Sequence, residues 1–310
     1  MSAEPAAVPM REDAELDVSV VLPVYNEKGH LTAEIDRIRA ALDASSYTYE
    51  IIVVDDGSDD GSGEQLLELE GIRLIRFRKN RGSGSARKAG TQAARGRVVV
   101  WTDADMTYPN DEIPQLVDQL EGYDQVVGAR TSEQGTAKLA RVPAKWFIRK
   151  LASYLVETPI PDLNSGLRAF RASVARQYLH LLPPGFSCVT TLTLAFLANG
   201  YSVRYVPITY TERAGRSKFH WWRDTKRYVS QVIRMVLSYN PLRIFMPAAI
   251  VLMLIGLAKL GFDWSARDFR LSTNTLLILF AAFQLMAIGL LADLMVRLSK
   301  PRQEVDPAAL

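Results

Sequence analysis

The sequence predicts an α/β fold in which a mainly parallel sheet is flanked by helices, followed by an amphipathic interfacial helix and two transmembrane helices. Three observations carry that expectation. Short apolar runs recur with about one helix length between them, the rhythm of a helix-covered parallel sheet. Several of these runs stop abruptly in acid-rich clusters. Toward the other end of the chain, two apolar stretches are long enough to cross a hydrocarbon core of about 20 helical residues.

In chain order, residues 1–16 are rich in Ala, Pro and acidic residues without an apolar core, so they read as a disordered tail and not a signal peptide. Val18 to Val24 (VSVVLPV) is a buried-strand run that ends in Tyr25-Asn26-Glu27 and leads into a helical stretch reaching about Ala44. Tyr49 to Val54 is the second run, ending in Asp55-Asp56-Gly57-Ser58, and Ile72 to Phe77 is the next. The run after it ends in Asp103-Ala104-Asp105. If these strands lie side by side, their polar tips surround one pocket at the carboxyl edge of the sheet, where open α/β folds bind ligands.

Two carboxylates at such an edge suit a hard divalent cation, which takes a few protein oxygens and completes its shell with water and substrate phosphates. The plainer reading of Asp103 and Asp105 is a solvated turn or a helix cap. The segment Asn80 to Gly90 (NRGSGSARKAG) fits neither the Walker spacing nor a dinucleotide fingerprint. It reads as a helix beginning near Gly82, whose small residues serve close packing beside a ligand, or packing alone.

With PVYNE, DDGS and DAD in this order, residues 18–218 resemble the family 2 glycosyltransferases, whose fold is of the GT-A type. The resemblance implies that Pro23, Tyr25, Glu27, Asp55 and Asp56 line the donor nucleoside site. It also implies that Asp103 and Asp105 handle ribose, diphosphate and a Mg²⁺ or Mn²⁺ ion. The segment Pro161 to Arg171 (PDLNSGLRAFR), the run Val127-Gly128-Ala129-Arg130 and Glu212 to Lys218 (ERAGRSK) are similar to those of the polyprenyl-phosphate branch. That branch includes dolichyl-phosphate mannose synthases and bactoprenol glucosyltransferases. Two departures stand out. Met106-Thr107 follows Asp105 where the branch commonly has Gln, and Gln231 to Met235 lacks the Trp of the QxxRW motif of processive synthases.

The implied partners are a UDP- or GDP-linked sugar, a polyprenyl phosphate and the bilayer, with inverting transfer of a single sugar. A lipid phosphate has a second pKa of about 6, so it is largely a dianion at neutral pH and needs positioning more than a base. Arg130 and Arg168 offer planar forks suited to that phosphate, with Asp162 and Ser165 beside them, and Arg213 with Lys218 suits a departing diphosphate. The catalytic set expected is therefore Asp103, Asp105, Arg130 and Arg168. Asp162 has two readings, orienting Arg168 or bracing its loop. For any one arginine the plain alternative is a surface ion pair of about 0–1 kcal/mol.

The spans expected are 244–262 and 275–296, with a short external hairpin from Gly261 to Asn274. Pro247 falls in the first turn of the first span, and Lys259 and Asp293 near span ends, where their charges reach the interface. Lys226, Arg227, Arg234 and Arg243 before the spans, and Arg297, Lys300 and Arg302 after them, outnumber Arg267 and Arg270 between them. The positive-inside rule thus places both chain ends, the catalytic domain and the 297–310 tail in the cytosol. Within 219–243, Trp221, Tyr228, Val232, Met235 and Tyr239 mark one helical face and Arg223, Arg227, Ser230 and Arg234 the other. That pattern fits an interfacial helix or a buried bridge to the spans.

The 310 residues, 48% hydrophobic, suffice for one α/β domain of about 200 residues and a small membrane domain. A net charge of +3 gives no reason to expect a nucleic-acid partner, and Cys188, the single cysteine, excludes an intramolecular disulfide. His30, His180 and His220 are scattered without metal-ligand spacing. A homo-oligomer through the transmembrane helices is compatible with this organisation.

Overall fold

Residues 16–130, 153, 158–185, 187–211, 240–266 and 272–299 are described by the structure, a computed structural model. The chain divides into two units, one of residues 1–149 and 158–220 and the other of residues 150–157 and 221–310.

The first unit is built on a seven-stranded sheet. Its strands are β1 (Leu16–Val24), β2 (Tyr49–Asp55), β3 (Arg73–Arg76), β4 (Gly96–Trp101), β5 (Gln125–Arg130), β6 (Arg168–Arg171) and β7 (Val203–Ile208), in the spatial order β3-β2-β1-β4-β6-β5-β7. Between them run α1 (Leu31–Asp43), α2 (Ser62–Leu67), α3 (Ser83–Ala93), α4 (Ile113–Asp118), α5 (Ala172–Tyr178) and α6 (Cys188–Ala198). Four pairings are parallel, β1 with β2 and with β4, β2 with β3, and β5 with β7, whereas β6 runs antiparallel to both its neighbours. The sheet is thus mixed, and β5, β6 and β7 extend it beyond the strands legible as apolar runs.

The central strands are apolar without alternation because helices cover both faces. Val20, Val21, Leu22, Val53, Val54, Val99 and Val100 have no more than a trace of exposed surface. Helix α1 buries Leu31, Ile35, Ile38 and Leu42 on one face, each burial contributing about 1.5–3 kcal/mol before entropy. The same face also carries Glu34, fully buried.

From β1 the chain proceeds to β2 and β3 on one side, then crosses back to β4 on the other. That reversal opens a crevice outside the carboxyl ends of β1 and β4. Strand β6 enters the sheet from this same edge, since Arg168 at its start pairs with Trp101 at the end of β4. Arg130 at the end of β5 and Ile208 at the end of β7 also arrive there.

The second unit is a hairpin of α7 (Leu242–Ala266) and α8 (Thr273–Ser299), whose windows Leu242–Ser265 and Thr273–Leu298 have mean hydropathies of 2.1 and 2.3. Large apolar side chains such as Leu254, Phe262, Phe283 and Leu294 are more than half exposed, so these are not core helices of a soluble fold. The helices outrun the expected spans at both ends. Pro241 directly precedes α7, its carbonyl accepting from the N–H groups of Ile244 and Phe245, so Pro247 lies inside the helix and not in its first turn. The connection is shorter than Gly261–Asn274 because α7 continues to Ala266. Fully buried Asp263 staples it, accepting from Thr275 Oγ1 at 2.5 Å and Ser272 N at 3.2 Å. Leu16 already belongs to β1 and residues 297–299 to α8, so the expected tails begin and end differently by those residues, while 1–15, 300–310 and the interfacial face at 219–239 lie outside the described residues.

Candidate active site

All expected site residues within the described part of the chain lie at or beside the carboxyl edge of the sheet; Arg213 and Lys218 fall outside it. Asp103 keeps 29% of its side chain exposed, and its Oδ1 accepts from Nη2 of Arg87 on α3. Asp105 is buried, and its Oδ1 accepts from Thr107 Oγ1 at 2.6 Å and Thr107 N at 3.3 Å. Met106, directly after it, holds a left-handed φ of 62°, and Asn26 at the tip of β1 holds one of 57°. Non-glycine residues in that region cost about 1 kcal/mol or more and concentrate at functional turns.

Behind this turn lies a buried polar network that the sequence reading missed. Thr102 Oγ1 donates to Asn110 Oδ1 at 2.5 Å, and Asn110 Nδ2 donates to Glu34 Oε1 at 2.5 Å and to the Asp103 carbonyl at 3.4 Å. Glu34 Oε2 has no hydrogen-bond partner among the described residues. Burial pushes the Glu34 carboxyl above its ordinary value, outweighing the Asn110 hydrogen bond. An acid at an apolar position of α1, between Leu31 and Ile35, is the signal that marks it.

The DDGS acids are turned toward their own chain. Asp55 Oδ1 accepts from Ser58 N at 2.9 Å and its Oδ2 from Arg76 Nε at 3.2 Å. Asp56 accepts from Arg81 N at 2.7 Å and Gly82 N at 2.8 Å, so it ties the end of β2 to the start of α3, and burial raises its pKa. Pro23, Tyr25 and Glu27 are half-buried at the tip of β1, and Glu27 N donates to Ser62 Oγ at 3.0 Å. The small residues opening α3 serve chain packing. A Cβ on Gly84 would stand 2.1 Å from the Pro183 carbonyl, and Gly84 N donates to the Pro184 carbonyl at 2.8 Å.

Two expectations for the acceptor side, those for Arg168 and Ser165, need correction, and of its two readings Asp162 takes the loop-bracing one. Its Oδ1 accepts from Asn164 N at 2.9 Å, and it orients Arg130 and not Arg168, through bonds of 2.7 Å (Nε to Oδ2) and 3.0 Å (Nη2 to Oδ1), while Arg130 also lies 5.3 Å from the Tyr210 ring centre. Burial alone would raise the Asp162 carboxyl, but the Arg130 hydrogen bonds and charge hold it below its usual range. Arg168 is completely buried. Its guanidinium donates to the carbonyls of Val189 (2.6 Å) and Ser165 and to Thr193 Oγ1 (2.8 Å), so it braces α6 and the loop before β6 and offers no open fork. Ser165 is buried too, its Oγ without a hydrogen-bond partner among the described residues. The physical reason is register: Arg168 pairs with Trp101 of β4, so it shares the sheet face of Trp101 and Phe170, on which Phe196 of α6 packs.

The loop nonetheless reaches the acids through its backbone. Gly166 N donates to Tyr108 Oη at 2.7 Å, and a Cβ on Gly166 would stand 2.7 Å from Asp103 Oδ2, so a larger residue there would displace the Asp103 carboxylate. Arg87 is the other residue the sequence reading passed over; its one signal is a charge amid small helical residues.

Asp103 and Asp105 supply hard oxygen donors, Asp103 with open surface, which fits Mg²⁺ or Mn²⁺ sharing its shell with phosphate oxygens. No group of three His, Cys, Asp or Glu side chains able to hold a metal exists among the described residues, so the protein side chains described leave most of such a shell to other ligands.

The profile described as glycosyl transferase family 2 matches residues 19–179, and that of the GtrB C-terminal hairpin matches residues 240–298. The undecaprenyl-phosphate 4-deoxy-4-formamido-L-arabinose transferase of Aeromonas hydrophila is 33% identical over 309 residues, covering 91% of this chain and 89% of that one. The protein of the same name from Pectobacterium carotovorum is 33% identical over 304 residues, with the same coverage. Among solved structures, glucosyl-3-phosphoglycerate synthase of Mycobacterium tuberculosis, crystallised with Mn²⁺, uridine diphosphate and glucosyl-3-phosphoglycerate, superposes with a TM-score of 0.57 at 21% identity. It covers 71% of this chain and 80% of that one.

Proposed function

Since the chain belongs to glycosyl transferase family 2, we propose that it moves one sugar from a nucleotide donor to a polyprenyl phosphate at the cytosolic membrane face, releasing nucleoside diphosphate. One observation carries this reading. A family 2 catalytic unit and a hairpin apolar enough to span a bilayer occur in one chain that is alike over nine-tenths of its length to transferases named for undecaprenyl phosphate.

On this reading the acceptor phosphate is itself the nucleophile, already ionised at neutral pH. Its oxygen attacks the anomeric carbon in line as the diphosphate leaves, which inverts the configuration. Asp103 and Asp105 would hold a divalent cation, which would supply positive charge to the leaving diphosphate. Tyr25 and Glu27 at the tip of β1 and Asp55 below them shape the nucleoside side of the crevice. Arg130, held rigid by Asp162, presents positive charge at the end of β5, and Arg213 with Lys218 receives the departing diphosphate. The two spans keep the enzyme in the membrane that holds its acceptor, with both chain ends cytosolic.

The test incubates the purified full chain with a panel of UDP- and GDP-sugars and undecaprenyl phosphate, with and without EDTA, and identifies products by mass spectrometry. A polyprenyl-phosphate monosaccharide that disappears with EDTA supports the reading. Sugar transferred only to diacylglycerol, or nucleotide binding with no transfer to any lipid, overturns it.

A further inference from the structure

We propose that Arg87 is an internal counterion that keeps a bare divalent cation off Asp103, so that the metal enters with the nucleotide donor and not before it. The proposal rests on the reading of Asp103 as a metal ligand.

Arg87 is placed to act in this way. Only 2% of its side chain is exposed, and its Nη2 donates to Asp103 Oδ1. The guanidinium stands 5.8 Å from the Trp101 ring centre. Its own helical turn is tied to β4, because Thr91 Oγ1 donates to the Arg87 carbonyl at 2.8 Å and accepts from Trp101 Nε1 at 2.9 Å. An arginine so enclosed cannot swing into solvent when a cation arrives. The Arg87 Nε is buried and has no hydrogen-bond partner among the described residues, so Asp103 carries the defined ionic contact of this side chain. A second buried guanidinium, Arg168, is near enough to repel Arg87 electrostatically, and its own bonds go to carbonyls and a hydroxyl, not to an acid.

Charge decides the order of binding. The enclosed Arg87 already offsets part of the negative charge of the two acids, and Arg168 adds to it, so a bare divalent cation meets fixed positive charge that cannot move away. A sugar nucleotide brings a diphosphate with two negative charges, which offset those of the cation. Like charges cost far more where water is excluded, so the cation and diphosphate enter favourably together and the cation alone does not. The donor set agrees: no third metal-binding side chain joins the two acids among the described residues, leaving most coordination positions to phosphate and water.

The experiment titrates Mn²⁺ into the full chain in detergent and reads free ion by electron paramagnetic resonance, with and without UDP. Wild type is expected to bind Mn²⁺ at least about tenfold more tightly with UDP. Arg87→Met should raise the affinity without UDP by about tenfold or more and so close the gap, whereas Arg87→Lys, which keeps the charge, should stay within about threefold of wild type. Arg87→Gln is the second neutral variant if the methionine variant does not fold by circular dichroism. Equal wild-type affinity with and without UDP, or neutral variants binding the bare ion no more tightly than wild type, overturns the proposal. Asp103→Asn separates the underlying reading: it should lose Mn²⁺ in both conditions, and if it binds Mn²⁺ with UDP as wild type does, Asp103 is not a ligand and the proposal falls with that reading.

Discussion

Two buried carboxylates, Glu50 near the start of β2 and Glu34 in the first turn of α1, lie at opposite ends of the sheet and are satisfied differently. At the amino edge, Glu50 Oε1 accepts from Ser19 Oγ at 2.7 Å and Arg95 N at 2.7 Å, and its Oε2 from Arg73 Nη1 at 2.8 Å and Arg95 Nε at 3.3 Å. Burial alone would raise the Glu50 carboxyl, yet the hydrogen bonds from Arg73, Ser19 and Arg95 hold it below its ordinary value. At the carboxyl edge, Glu34 keeps an oxygen without a partner among the described residues and its pKa is raised. Asp103 there shares one enclosed arginine and retains open surface, and two non-glycine residues sit at positive φ. Saturated polar groups stabilise a fold, while groups left incompletely satisfied remain available for ligands.

The largest effect that sharpens this contrast is expected at the carboxyl edge. Asp105→Asn and Asp103→Asn should each lower turnover by about 10²–10³-fold, with the larger fall in melting temperature for Asp103→Asn, which leaves buried Arg87 without its carboxylate. Steady-state rates and a thermal melt on the same preparations check this; a variant that keeps near-normal turnover would place the chemistry elsewhere.

Arg168 probes whether every arginine at that edge belongs to the chemistry. Arg168→Met removes the donor of the Ser165 carbonyl and of the Thr193 hydroxyl and leaves the Val189 carbonyl with Thr193 Oγ1 at 3.3 Å, a loss of about 2–4 kcal/mol of stability. Thermal unfolding should show it directly. An unchanged melting temperature with a raised KM for the lipid phosphate alone would return Arg168 to the acceptor.

The smallest and most diagnostic test applies one substitution at both edges. Glu50→Gln should cost about 1–2 kcal/mol at pH 7, since it leaves Arg73 and Arg95 without a carboxylate. The depressed pKa of Glu50 means that its contribution is present above the ordinary value of 4.5 and is lost as pH falls through its folded value. Glu34 has the opposite sign. The folded chain holds its proton at pH values where the unfolded chain releases it, so stability falls as pH rises from 4.5 through the raised folded value. Glu34→Gln, which can still accept from Asn110, should therefore be neutral at pH 4 and stabilising by up to about 1 kcal/mol at pH 8. Melting temperatures of the two variants across this range decide it, and parallel curves would mean that the two edges do not differ.

Much of this molecule is legible without coordinates. Strands β1, β2 and β4 are buried on both faces, so they read as unbroken apolar runs, and their acid-rich tips stand out because charge ends such a run. The two hairpin helices declare themselves by length and hydropathy alone. Tertiary structure decided the rest. Strand β6 is four residues flanked by arginines, and no local pattern reveals that it runs antiparallel between β4 and β5 and turns Arg168 inward. The pairing of Arg130 with Asp162, of Arg87 with Asp103, and of Glu34 with Asn110 joins residues 32, 16 and 76 positions apart. Periodicity and spacing report only what neighbouring residues share; which charge meets which partner depends on how the helices and the antiparallel strand fold back onto the sheet edge.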